Sequence, residues 1–282
     1  MSATMSTDTE PYELLTSTRY DLQLLGLEWN TVANDDTPSA YMLLPYHIDR
    51  LRDAAKQHGW TNCLDGLTED ALQEACDAAV EAASEEHPGK PFRVCQHLSP
   101  ITQVVEAIGF SKVRVTLSRA GRLSATAFPV EPLPTSDPLE PSSVPEHVFR
   151  LDTEPTEPSL YTSTKTTRRG HYDAARARTN LPLLTTPAGR YSDVILHTPA
   201  GELSETSIRN LAIRRDGQWL TPNAKSSGCL SGVMRRLLLE QGKWIEAAEG
   251  QLRKDDLVDG EIVMTANGVE GCRLGTVVLH SR

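Results

Sequence analysis

Four separated stretches carry residue types that could do chemistry together: HIDRL (47–51), TKTTRRGHYDAARAR (164–178), GELSETSIRNLAI (201–213) and GCLSGVMRRLLLEQG (228–242). In the first, Arg50 offers a guanidinium whose forked N–H groups suit a phosphate. In the second, Lys165 offers a primary amine able to attack a carbonyl and then to act as a base. Glu205, in the third, offers a carboxylate that would favour a positive charge beside it. Ser231-Gly232-Val233 stand where a helix should begin, and a helix N-terminus turns free N–H groups and a positive dipole end toward an anion. Asn267-Gly268, within TANGVEG, could form a second loop of the same kind. Taken singly, each has a plain alternative: lysines and arginines mostly sit at the surface, and glycines beside helices mostly serve as caps.

In this order and at these separations, the four stretches resemble the class IV, fold-type IV family of pyridoxal 5′-phosphate (PLP) enzymes. That family takes in branched-chain and D-amino-acid aminotransferases and aminodeoxychorismate lyases. The resemblance runs from about residue 12 to about residue 275. It implies that Lys165 bonds the PLP aldehyde and serves as catalytic base. It implies that Glu205 contacts the pyridine nitrogen and keeps it protonated, so that the ring can accept electrons. Arg50, the amides of Ser231, Gly232 and Val233, and the Asn267-Gly268 loop would hold the phosphate. Glu202 competes locally with Glu205, but its place in the PAGE turn reads as an exposed carboxylate. His47 and Asn210 read as residues that hold the helix and the loop, rather than as chemical groups.

Two features depart from the family pattern. Many members carry a tyrosine five positions after the lysine, contacting the cofactor's phenolic oxygen; here that place is Gly170, and Tyr172, two later, is not assigned the contact. The family's opening hairpin is also missing, as in lyase domains fused behind an aminodeoxychorismate synthase. The arginine four places after Lys165 and the GCLSGVMRRLLLEQG stretch look like the lyase branch, which splits 4-amino-4-deoxychorismate into 4-aminobenzoate and pyruvate for folate synthesis. The alternative is an aminotransferase acting on branched-chain amino acids, D-amino acids or amines. Thr16, Ser17 and Arg19 on the first strand, and Arg169 as a carboxylate clamp, are candidates for substrate contact, although a purely structural role suits each equally. A non-catalytic relative would lack Lys165, Glu205 or Arg50; all three are present.

The elements that must position these residues fall into two parts. Residues 129–146, PVEPLPTSDPLEPSSVPE, are rich in proline, serine and acid and read as a linker. They divide the chain into an N-terminal α/β domain (12–130), a linker (131–150) and a C-terminal PLP-binding domain (151–282). In the first part, 12–21 reads as a strand, 43–60 and 68–83 as helices, and 112–118 with 122–130 as a hairpin around Ala120-Gly121. The second is strand-rich, with turns at Pro199-Ala-Gly201 and Asp216-Gly217, a helix over 231–241 closed by Gly242, and a last strand at 261–272. The fold class expected is a two-domain α/β (α+β) fold of the D-amino-acid aminotransferase type, with PLP in the cleft between domains.

Composition narrows the function classes. The net charge of −10, from 38 acidic and 28 basic residues, argues against a nucleic-acid partner. The five cysteines (Cys63, Cys76, Cys95, Cys229 and Cys272) are odd in number and lack a CxxC pair, so neither a disulfide framework nor a metal site is expected. No apolar run is long enough to span a bilayer, and the polar, acidic start fits no presequence. The expectation is a cytoplasmic homodimer, the dimer following from the resemblance, that acts on a small-molecule substrate.

Overall fold

The computed structural model describes residues 11–86 and 110–279, which leaves Cys95 outside the described residues. The first sheet is antiparallel in the order β1-β2-β3, from Leu14–Tyr20 (β1), Ser111–Leu117 (β2) and Leu123–Pro129 (β3). The β2–β3 turn depends on Gly121, whose φ of +85° lies in the left-handed region. Three helices belong to this half of the chain, Glu28–Val32 (α1), Leu44–Gln57 (α2) and Glu69–Glu86 (α3), of which α2 and α3 pack on the sheet. In α2, Leu44, Ile48, Leu51 and Ala55 recur at helical spacing and are buried together. Thr68 Oγ1 accepts the Ala71 amide at 3.1 Å, which supplies the start expected for α3.

The second sheet has eight strands in the order β6-β5-β4-β11-β10-β7-β8-β9. They are His147–Leu151 (β4), Ser192–His197 (β5), Leu203–Thr206 (β6), Asn210–Arg215 (β7), Gln218–Thr221 (β8), Ile245–Glu246 (β9), Ile262–Asn267 (β10) and Gly271–Val278 (β11). Pairing is parallel for β4 with β5 and with β11, and for β8 with β9; the other neighbours are antiparallel. Around this sheet lie Leu160–Ser163 (α4), Gly170–Arg178 (α5), Pro187–Arg190 (α6), Ala224–Ser227 (α7) and Val233–Glu240 (α8). The mixed α+β class is the one expected. Residues 261–272 are not the last strand, however: Gly271 at φ +67° turns the chain straight into β11.

The proline-rich segment between β3 and β4 has no helix or strand, yet it is anchored rather than loose. Leu139 is buried, Pro138 O accepts the Cys272 amide at 2.7 Å, and Asp137 Oδ1 accepts the Trp29 indole N–H at 3.0 Å. One apolar cluster also joins the halves, with Leu24, Met42 and Leu43 packed among Val233, Met234, Leu237, Trp244 and Ala266. Cys63, Cys76, Cys229 and Cys272 are buried free thiols. Among the described residues no helix is long and apolar enough to cross a membrane, and no group of His, Cys, Asp and Glu could hold a metal ion.

Candidate active site

The segment carrying Lys165 runs beside β1. Leu15 donates its amide to Lys165 O at 2.8 Å, and Thr167 donates to Glu13 O at 2.9 Å, so β1 is flanked by β2 on one side and this segment on the other. The Lys165 amine makes no hydrogen bond or ion pair among the described residues, and the residue keeps intermediate exposure. Burial, reinforced by the charges of Arg50, Arg169 and Lys112, lowers its pKa to about 7; Glu205 alone pulls it upward.

At one end, β1, α2, the loop after β10 and the start of α8 converge. Arg50 Nη2 donates to Thr16 Oγ1 at 2.6 Å, and Thr16 Oγ1 lies 2.5 Å from His47 Nδ1. Burial, together with Arg50 and Lys165, lowers the His47 pKa well below the usual value, so the ring is neutral. With Thr16 accepting from Arg50, its own hydroxyl hydrogen is left for His47 Nδ1, which places the ring hydrogen on Nε2. Among the described residues, His47 Nε2 and Arg50 Nε are both buried without a hydrogen-bond partner. Burial also lowers Arg50 to about 10, against the pull of Glu205, which still leaves it charged at neutral pH. A Cβ on Gly268 would come within 2.7 Å of Val233 and 3.0 Å of the His47 ring, so this loop must be glycine to close on the helix start. The result is a compact group of donors around a cation, suited to an anion such as a phosphate.

At the other end, β6 carries Glu205 into the interior, where it is 3% exposed. Tyr172 Oη, on the inner face of α5, donates to Glu205 Oε1 at 2.6 Å. Asn210 Nδ2 lies 3.4 Å from Glu205 Oε2 and donates to Leu230 O at 2.8 Å, tying the carboxylate to the approach to α8. Burial raises Glu205 to about 7, although the Tyr172 hydroxyl, the Leu230 backbone, Lys165 and Arg169 all favour its charged form. Arg169 donates to Ser207 O at 2.8 Å, and its guanidinium lies 4.8 Å from the Tyr172 ring centre.

Lys165, Arg50, Glu205, Thr16, Val233 and Gly268 are therefore brought together, with Lys165 close enough to both Arg50 and Glu205 for each charge to act on it. Other residues singled out from the sequence are placed differently. Arg19 is 1% exposed and spends its guanidinium on Asp21 (2.9 Å) and on Glu131 O (3.1 Å), so it faces the interior rather than a substrate. Asn267 is taken up by its own loop, its Oδ1 accepting the amides of Val269 and Glu270, and it is Gly268 that lies against Val233 and His47. Ser231 is exposed, and the Gly232 amide already donates to Leu230 O at 2.8 Å, which leaves Val233 as the first helical amide. Glu202 is not an exposed carboxylate. It is 5% exposed and accepts from Ser226 Oγ and the Gly250 amide.

Three residues of the group escaped the sequence reading as chemical neighbours: His47, Tyr172 and Lys112. Only His47 had a usable signal, because positions three apart on a helix share a face with Arg50. Behind Glu205, Asp193 accepts from Arg176 and from Ser207, and Arg209 pairs with Glu270. Burial would raise Glu270, but Arg209, Asn267 and Arg273 overcome it and hold the carboxylate at about 2.

A family model described as Amino-transferase class IV matches residues 35–275. The chain belongs to this family. One relative, a Schizosaccharomyces pombe protein provisionally named an aminodeoxychorismate lyase, is 28% identical over 240 residues, covering 84% of this chain and 85% of that protein. The aminodeoxychorismate lyase of Saccharomyces cerevisiae is 32% identical over 196 residues, covering 59% of this chain and 51% of the yeast protein. A solved structure, provisionally named an amino-acid aminotransferase from Mesorhizobium loti, superposes with a TM-score of 0.60 at 22% identity, covering 95% of this chain and all of that one. At that identity, what the two share is the class IV fold.

Proposed function

We propose that this class IV chain is a PLP-dependent 4-amino-4-deoxychorismate lyase, releasing 4-aminobenzoate and pyruvate. The observation that carries the cofactor reading is the Lys165 amine, unengaged and lowered to about 7, standing between a cationic anion cradle and a buried carboxylate. The residues fit PLP: among the described residues Arg50 Nε and His47 Nε2 are buried donors with no partner, and Gly268 lets its loop close on the start of α8 and on the His47 ring. The choice of reaction rests on the likeness to the S. pombe relative, which extends over most of both chains.

Arg50, the Val233 amide and the Gly268 loop would hold the phosphate, and Glu205 the pyridine nitrogen. PLP, when bound, supplies an electron sink for the pair left on a substrate carbon when its proton departs. Lys165, half neutral near pH 7, is basic enough to take the C4 proton of the substrate and acidic enough to return a proton. The natural recipient is the methylene carbon of the departing enolpyruvate, which becomes pyruvate as the ring turns aromatic. Arg169 stands close enough to Lys165 to act on its charge, and so has a place beside a substrate carboxylate. As in the family at large, the working unit would be a homodimer, which light scattering tests.

The deciding experiment supplies aminodeoxychorismate generated in situ, with no keto acid, and follows both products. Equal release of 4-aminobenzoate and pyruvate, abolished in Lys165→Ala, is the expected result. A PLP-loaded protein that releases neither would sink the lyase reading and leave an aminotransferase, which needs an acceptor.

A further inference from the structure

Tyr172 makes the shortest polar contact of Glu205. The sequence has Gly170 where many class IV members place a tyrosine against the cofactor's phenolic oxygen. In the structure, α5 begins at Gly170, and Tyr172 lies on the inward face of its first turn, 8% exposed, with its hydroxyl spent on a carboxylate. Its 2.6 Å contact with Glu205 Oε1 falls in the range of a charge-assisted O–H···O⁻ bond. Asn210 approaches the other oxygen at the longer distance of 3.4 Å, leaving Oε2 with capacity to accept from a ligand.

We propose that Tyr172 is a positioning residue that favours the ionised form of Glu205 and fixes which carboxylate oxygen is left for the cofactor's pyridine nitrogen. The proposal rests on the PLP reading for its consequence, but its physical core concerns two residues of the chain alone. A buried carboxyl is driven toward its neutral acid, and a neutral acid cannot favour a protonated pyridine. The groups facing Glu205 are Lys165 and Arg169 from the segment before α5, Arg50 from α2, Cys229 before α8 and Tyr172 itself. The cations work through space, whereas Tyr172 donates a hydrogen bond directly. Its own ionisation is pushed well above 10 by burial and by Glu205, so it stays a donor at every working pH. The Arg169 guanidinium over its ring, and α5 behind it, hold the hydroxyl in place.

The test uses the apo protein, so that it reads the carboxyl and not turnover. Difference infrared spectroscopy follows the protonated-carboxyl band across neutrality, the band being assigned by its loss in Glu205→Gln. Tyr172→Phe keeps the ring and the Arg169 stack, and removes only the hydroxyl. It should raise the proton affinity of Glu205 by about tenfold or more, as expected for loss of a hydrogen bond to a charged group. In case that variant folds poorly, 3-fluorotyrosine placed at position 172, a stronger donor, should lower the affinity instead. Midpoints that match the wild type in a folded Tyr172→Phe, or in the fluorinated protein, would overturn the proposal. Loading with PLP is measured separately. A wild type that takes up no PLP ends the cofactor reading but leaves the infrared answer standing.

Discussion

Lys165 and Glu205 are displaced in opposite directions by the same cause, burial, and each reaches about 7. The stability of the apo protein should show it. A lysine in the unfolded chain holds its proton up to about 10.5, whereas the folded one releases it near 7. Between those values the unfolded state binds the extra proton, so this residue makes stability rise with pH; below 7 the cost of the buried cation is present in full. Glu205 gives the reverse slope from 4.5 to about 7, because there the folded state binds the extra proton. Urea unfolding of the apo wild type and of Lys165→Met, compared from neutrality to pH 10.5, should give a difference that shrinks as pH rises. Parallel curves would mean that the amine is not held in its neutral form.

At the scale of elements, close backbone approaches set the site. A Cβ on Gly232 would fall 1.9 Å from Asn210 Oδ1, so Gly232→Ala should push Asn210 off both Leu230 O and Glu205. The expected cost is about 1–3 kcal/mol of stability, with weakened PLP binding; thermal melts and PLP titration check both. The lead into α2 is held by Asn30, fully buried, which donates to Ser39 O and Tyr41 O and accepts the Leu43 amide. Asn30→Ala strands those backbone groups and should cost at least about 2 kcal/mol, a loss that a urea midpoint would register. Much of this layer was legible in the sequence: α2, α3 and the β2–β3 hairpin follow from apolar periodicity and turn residues. The five-residue β4, beside the prolines, was not, and β11, though eight residues long, went unseen because the turn at Gly271 reads as the end of the last strand. Nor was the Tyr172–Glu205 contact, because residues 33 apart meet only once β6 and α5 are packed. Arg19 misled for a related reason: its partner Asp21 is two residues away, but the Glu131 carbonyl and the burial that turn its guanidinium inward appear only in the fold.

For the whole molecule, the cluster shared by Leu24, Met42 and Leu43 with α8 and β10 binds the halves into one structure. Unfolding should accordingly be a single transition, with helix signal and tryptophan fluorescence coincident. Two separated transitions would show that the halves melt independently. Trp29 and Trp60 belong to the first half, Trp219 and Trp244 to the second, so fluorescence samples both.

The anchored proline-rich segment has a practical corollary for anyone wishing to cut the gene in two. A piece ending near Val130 would carry Leu24, Met42 and Leu43 without their cover, and the remaining piece would carry a bare face of Val233, Met234 and Leu237. Expressed alone, each should precipitate. Produced in the same cell, they should find one another, because the surface that makes each insoluble is the surface that the other was built to cover.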